Sequence, residues 1–137
     1  MNPILRNFLA FILGAVIGGI LNGAIVAIGP MIFPYPEGLD PNDVESFAEH
    51  IDEFSFGNFF MTFLAHALGT LVGALITVKV AATHKVNLAY GIGAFFLIGG
   101  IAASFMIPAP TWFIATDIIL AYLPMAWLAI KIGGSKS

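Results

Sequence analysis

The sequence predicts an all-α protein: an integral membrane four-helix bundle with N- and C-termini cytoplasmic and a short amphipathic outer helix between spans one and two. Three observations carry this. Of 137 residues, 59% are hydrophobic and only 9% are charged, and the mean hydropathy is +0.97. Apolar runs at about 4–29, 57–80, 88–107 and 111–131 each reach the roughly 20 residues that a spanning helix needs. The charges are segregated: all five Lys and Arg stand at the ends of these runs, and seven of the eight acids lie between Glu37 and Glu53. The spans use most of the chain, so residues 1–137 form a single membrane domain. Backbone polar groups must be satisfied within the span in lipid, and the runs are continuous rather than alternating, so helices are expected and a β-barrel is not.

The first span follows a single charge, Arg6. Its apolar run exceeds the h-region of about 7–15 residues found in signal peptides, so a retained helix is expected. Gly14 and Gly18 stand at GxxxG spacing, with Gly19 and Gly23 one residue over, a pattern that lets helix backbones approach closely in lipid. The outer acidic segment, 30–56, contains Asp40-Pro41-Asn42-Asp43, which reads as an N-cap, a first-turn proline and a first-turn acid. Val44, Phe47, Ala48, Ile51 and Phe54 then recur at helical spacing. The opposite face carries Glu45, Glu49, His50, Asp52 and Glu53. The expectation is an amphipathic helix lying on the outer surface or capping the bundle.

In the second span, Thr62, His66, Gly69, Thr70, Gly73 and Thr77 share one face at about 100° per residue. Leu64, Leu68, Leu71 and Leu75 share the other, which suits lipid. The third span has Gly93, Gly100 and Ser104 on one face. Its Ile98-Gly99-Gly100-Ile101 repeats Ile17-Gly18-Gly19-Ile20 of the first span, which would fit two parallel helical hairpins. The fourth span carries Pro124, expected to kink it or to free a carbonyl toward a neighbour. Trp112 at the outer interface, with Tyr90 and Trp127 toward the inner one, reads as an aromatic belt.

Orientation follows from the basic residues. Arg6, Lys79, Lys85, Lys131 and Lys136 all fall on one side of a four-span chain, and the positive-inside rule makes that side cytoplasmic. The expected location is a bacterial inner (plasma) membrane, multi-pass, with segment 30–56 outside.

Ionisable residues inside membranes are costly and mark functional sites. His66 and Asp117 are the two here. At 1.5 Å per residue they lie roughly 13 and 9 Å below the outer end of their spans, and Asn22 lies at a similar depth in span one. With Thr62 and Thr70 these define a candidate intramembrane polar site. Imidazole can take up or release a proton near neutral pH. A His66–Asp117 contact would make a proton relay or weak cation site, or else a hydrogen-bonded clamp between helices.

Other chemistries have less support. The chain has no cysteine, so disulfides and thiolate metal sites are excluded. The outer acids show no calcium-loop pattern and read as a solvated face that concentrates cations at an outer mouth. No metal site, no cofactor and no nucleic-acid partner is expected. The serines have no nucleophile-elbow setting and the glycines follow no strand, so an enzyme is not expected. The chain matches small multidrug transporters in size and span number, but its first span has no Glu and its outer segment is long, so no family is assigned.

Two functions fit. The first is an oligomeric transporter or channel subunit for protons, cations or a small solute, with the lipid bilayer and a second copy of the chain as partners. The second is a non-transporting accessory or scaffold protein that binds a partner or lipid through its outer acidic helix or its glycine seams.

Overall fold

The computed structural model describes residues 1–135; Lys136, one of the basic residues assigned to the inner side, lies outside them. The protein is about 80% helix, and no strand occurs among the described residues. Six helices follow in order: α1 (Pro3–Ile32), α2 (Val44–His50), α3 (Phe56–Val80), α4 (Lys85–Met106), α5 (Thr111–Leu120) and α6 (Leu123–Gly133). Four units are long and apolar enough to cross a membrane: α1, α3, α4, and α5 with α6 taken together. At 1.5 Å per residue the 30 residues of α1 would run about 45 Å, well beyond a hydrocarbon core of about 30 Å, so this helix has length for tilt or protrusion.

α3 is the central helix. It packs against α1, α4 and α6 and touches α5, whereas α1 meets α4 only lightly. Its seam with α1 is built from absent side chains. A Cβ on Gly73 would stand 2.7 Å from the Gly14 carbonyl oxygen, and one on Gly69 would stand 2.8 Å from that of Gly18. Thr77 locks the same seam by donating to the Ala10 carbonyl at 3.2 Å and to its own Gly73 carbonyl at 3.0 Å. On the other side, Ala74, Val78, Ala89, Ile92, Ala126, Ala129 and Ile130 form a buried core shared by α3, α4 and α6. Alanines predominate because helices in lipid gain from close packing rather than from hiding large apolar groups.

The leucine face of α3 departs from expectation. Leu71 and Leu75 pack against the inner core instead of facing outward, because α6 covers that side of the helix. Periodicity separates two faces of a span, but a neighbour on the second side takes these two leucines out of the face expected to meet lipid. The repeat between spans one and three fares no better at the level of contacts. Gly18 faces α3 while Gly19 meets nothing; Gly100 faces Tyr122 while Gly99 meets nothing. The inward glycine is the first of the pair in one copy and the second in the other.

The ends are tied by side chains. At one end the Asn7 carboxamide accepts from the Ala82 and Thr83 backbone N–H at 2.9 and 3.1 Å and donates to Thr83 Oγ1 at 2.9 Å. Arg6 Nε donates to the Val80 carbonyl at 2.6 Å. These bonds satisfy groups at the α3–α4 turn that the helices cannot. At the other end Ser55 and Asn58 form a capping box on α3. Asn58 Nδ2 reaches across to the Phe33 carbonyl at 2.8 Å, closing the return of α1 into the outer segment.

The outer helix forms, but its cap differs from expectation. Asp43, not Asp40, caps α2, its carboxylate accepting from the Glu45 N–H at 3.0 Å. Asp40 instead accepts from the Asn42 N–H at 3.0 Å, and its own N–H donates to Ser46 Oγ at 2.8 Å. The two Asp residues compete for one role, and the residue adjoining the apolar run wins.

Candidate functional site

Span four breaks. α5 ends at Leu120 and α6 begins at Leu123, with Ala121 and Tyr122 between them. The cause is Pro124, whose ring has no N–H to give and would strike the carbonyl four residues back in a continuous helix. It sits instead in the first turn of α6, where a proline is tolerated. The break turns the Tyr122 side chain back toward α5, and Tyr122 is almost wholly buried.

This places three polar groups together. His66 Nδ1 lies 2.8 Å from Asp117 Oδ1. The Tyr122 hydroxyl donates to Asp117 Oδ2 at 2.9 Å and lies 3.1 Å from His66 Nδ1. The His66 and Tyr122 rings are stacked at a centroid distance of 5.8 Å. The Asp117 side chain is only 6% exposed, so it is held by these contacts; the His66 side chain is 22% exposed. With Asp117 accepting, Nδ1 carries the hydrogen. Nε2 is then the unengaged ring nitrogen, and in a neutral ring it offers a lone pair.

Gly100 makes the triad fit. A Cβ at this position would run into the Tyr122 hydroxyl and ring. Gly93 does the same one seam lower, where a Cβ would lie 3.0 Å from the Ala126 Cβ. Gly93 thus serves α6 and Gly100 the α5–α6 break, as Gly14, Gly18, Gly69 and Gly73 serve the α1–α3 seam.

The triad borders a cavity of about 210 Å³ in the half of the molecule that carries segment 30–56. His66 and Asp117 line its floor, and Thr62 and Ser104 line its sides. Aromatic rings make much of the rest. Phe59 stands 5.0 Å from Phe113 and 5.4 Å from Phe54, and Phe54 stacks 5.9 Å from Tyr35. Phe47 completes the group, 5.5 Å from Tyr35. The apolar face of α2 therefore roofs the cavity through Phe47, as Ile51 and Phe54 of the following turn do. Burial raises the Tyr35 hydroxyl above its ordinary value, so it remains protonated.

The remaining candidates are placed as follows. Thr62 Oγ1 donates to the Asn58 carbonyl at 3.1 Å. Thr70 is buried one turn below His66, and Asn22 lies against Gly69 in the α1–α3 seam. Neither joins the triad, and both Thr70 Oγ1 and Asn22 Oδ1 are buried without a protein partner. Equal depth does not fix rotation about a helix axis, so Asn22 can share a level with His66 and still face elsewhere. On α2, Glu45 and Glu49 are exposed, as are Asp52 and Glu53 just beyond it. His50 is half-buried, its Nδ1 2.8 Å from the Ser46 carbonyl. Among the described residues no three His, Asp or Glu side chains converge as a metal site would require.

Tyr122 is the member of this polar cluster that sequence reasoning misses. The signal was present: a tyrosine in mid-span is too deep for an interfacial belt, and a buried Tyr hydroxyl needs a partner. No family model matches the chain, and comparison with curated proteins and with solved structures returns no match.

Proposed function

We propose that the protein is a small multi-pass transporter subunit that takes a small solute into the outer cavity and couples its passage to a proton held at the His66–Asp117–Tyr122 triad. The observation that carries this reading is the placement of the triad at the wall of a cavity. A clamp that only joins helices has no need of an accessible imidazole beside a cavity, and ionisable groups at membrane depth mark pathways and proton relays.

The orientation in this proposal puts both termini in the cytoplasm and segment 30–56 outside, in a bacterial plasma membrane. Arg6, Lys79, Lys85 and Lys131 at one end support it. The cavity then faces the outer side beneath an acidic surface. A homo-oligomer is part of the proposal, because four spans give little room for a complete pathway. Gly19, Gly23 and Gly99 meet nothing within the chain, which suits close approach by a second copy. Transport is favoured over nucleophilic chemistry because the two aliphatic hydroxyls lining the cavity, those of Thr62 and Ser104, donate to helix carbonyls at 3.1 and 2.6 Å rather than to His66.

The test is flux in proteoliposomes under an imposed pH gradient, comparing wild type with Asp117→Asn and His66→Ala. Coupled flux in wild type that both variants abolish is expected. Absence of flux for protons, common cations and small organic cations would remove the transport reading and leave that of an accessory protein.

A further inference from the structure

We infer that the outer cavity takes a compact apolar ammonium ion, and that this ion and a second proton on His66 exclude one another. This rests on the solute-binding reading above and adds the class of solute.

The cavity floor and sides offer acceptors. Thr62 and Ser104 spend their hydroxyl hydrogens on the Asn58 and Ile101 carbonyls, leaving oxygen lone pairs on the cavity side. His66 spends its Nδ1 hydrogen on Asp117, leaving Nε2 as a lone pair. Tyr35 brings the remaining hydroxyl of the lining, in the roof, where burial keeps it protonated. A solute that reaches the floor must therefore bring its own N–H or O–H donor.

Charge selects among donors. With a neutral His66, the pair carries the full negative charge of Asp117 and no cation lies near it. Arg6, Lys79, Lys85 and Lys131 stand at the opposite end of the spans. Glu45, Glu49, Asp52 and Glu53 add negative charge at the roof. A cation in the cavity supplies the missing countercharge, and the faces of Phe47, Phe54, Phe59 and Phe113 stabilise it further. Size limits the apolar body. A cavity of roughly 150 Å³ accepts benzene, so about 210 Å³ admits one ring with a short amine arm.

Exclusion follows from the same charges. A second proton on His66 neutralises the pair and turns Nε2 from acceptor to donor, removing both features that attract the ammonium. The titratable groups that meet His66 are Asp117 of α5 and Tyr122 at the α5–α6 break. α1 presents no ionisable side chain beyond Arg6, α4 none beyond Lys85 and Tyr90, and α6 none beyond Lys131; the outer segment presents Tyr35 at the roof, with His50 and its acids outside the cavity lining.

Calorimetry on the full chain in lipid nanodiscs, with protein-free discs as blank, tests this using 2-phenylethylammonium, 2-phenylethanol and 3-phenylpropionate. At pH 8 the ammonium should bind at least tenfold more tightly than the alcohol, and the carboxylate should not bind. The ammonium's affinity should fall on acidification, by up to about tenfold per pH unit for exchange against one proton. Asp117→Asn should lose the preference for the ammonium yet still bind the alcohol, which reports an intact cavity. His66→Gln should keep the preference and lose the pH dependence. Equal binding of alcohol and ammonium at pH 8, or pH dependence that persists in His66→Gln, overturns the inference and leaves the cavity as a solute site. Failure of all three probes to bind overturns both.

Discussion

Tyr122 reaches Asp117 because Gly100 leaves space for its hydroxyl. The carboxylate is buried and accepts from two donors, and loss of one leaves an oxygen that no water-filled reference can compensate. Hydrogen bonds between membrane helices average about 0.6 kcal/mol and reach about 1.7, while bonds to a charged acceptor are worth about 1.5–3 kcal/mol in soluble proteins. Tyr122→Phe should therefore cost about 1–2 kcal/mol, near the upper end for a membrane protein. A double-mutant cycle with Asp117→Asn, read by reversible unfolding in mixed micelles, isolates the coupling. Additive losses would mean that the two groups do not interact. Gly100→Ala should act on the same contact without touching a polar atom, since the added methyl displaces the tyrosine. It should lower flux together with stability, whereas Gly99→Ala, whose Cβ meets nothing within its own chain, should leave the stability of the single chain unchanged.

The helices differ in how much of them the sequence revealed. Four spans are legible because long apolar runs leave no other structure in lipid, and the apolar stripe of α2 is legible through its period. Their termini shift by a few residues where side chains, not hydropathy, decide: Asp43 outcompetes Asp40 as cap, and α4 starts at Lys85 rather than 88. The break in span four is foreshadowed by Pro124, but its consequence is not, because the direction in which Tyr122 turns depends on α4 offering a glycine opposite. Likewise the sequence places His66 and Asp117 at compatible depths while Asn22, at a similar depth, turns into another seam. Depth is a one-dimensional reading, and contact also needs the rotation of each helix. The α1–α3 seam shows what rotation fixes. Gly73→Ala would put a Cβ 2.7 Å from the Gly14 carbonyl oxygen, backbone against side chain with no flexible atom to yield. Overpacking of this kind costs about 1–3 kcal/mol. Gly19→Ala, one residue off the seam with nothing within 4 Å, should be neutral or stabilising by at most about 1 kcal/mol, the helix-propensity difference between the two residues. The contrast between these two variants in micelle unfolding checks the seam without reference to function.

For the whole molecule the decisive question is which end faces the cytoplasm, because the cavity lies toward the end that carries segment 30–56 and the proton-coupled reading depends on which side that is. The inner assignment rests on positive charge: Arg6 bonds to the end of α3, Lys79 and Lys85 flank the α3–α4 turn, and Lys131 lies over the Trp127 ring at 5.5 Å. Every acid but Asp117 lies at the other end. Acids contribute little to topology, so the weight is carried by the basic residues in short loops. The absence of cysteine makes this directly measurable, since any introduced thiol is the only one. Asp52→Cys, on the exposed face beyond α2, should react with a membrane-impermeant maleimide in intact cells. Thr83→Cys, in the exposed α3–α4 turn, should react only after the membrane is opened. The reverse pattern would place the acidic roof and the cavity on the cytoplasmic side. The triad would then receive its solute from within, and the imposed gradient in the flux assay would have to be inverted to drive the same step.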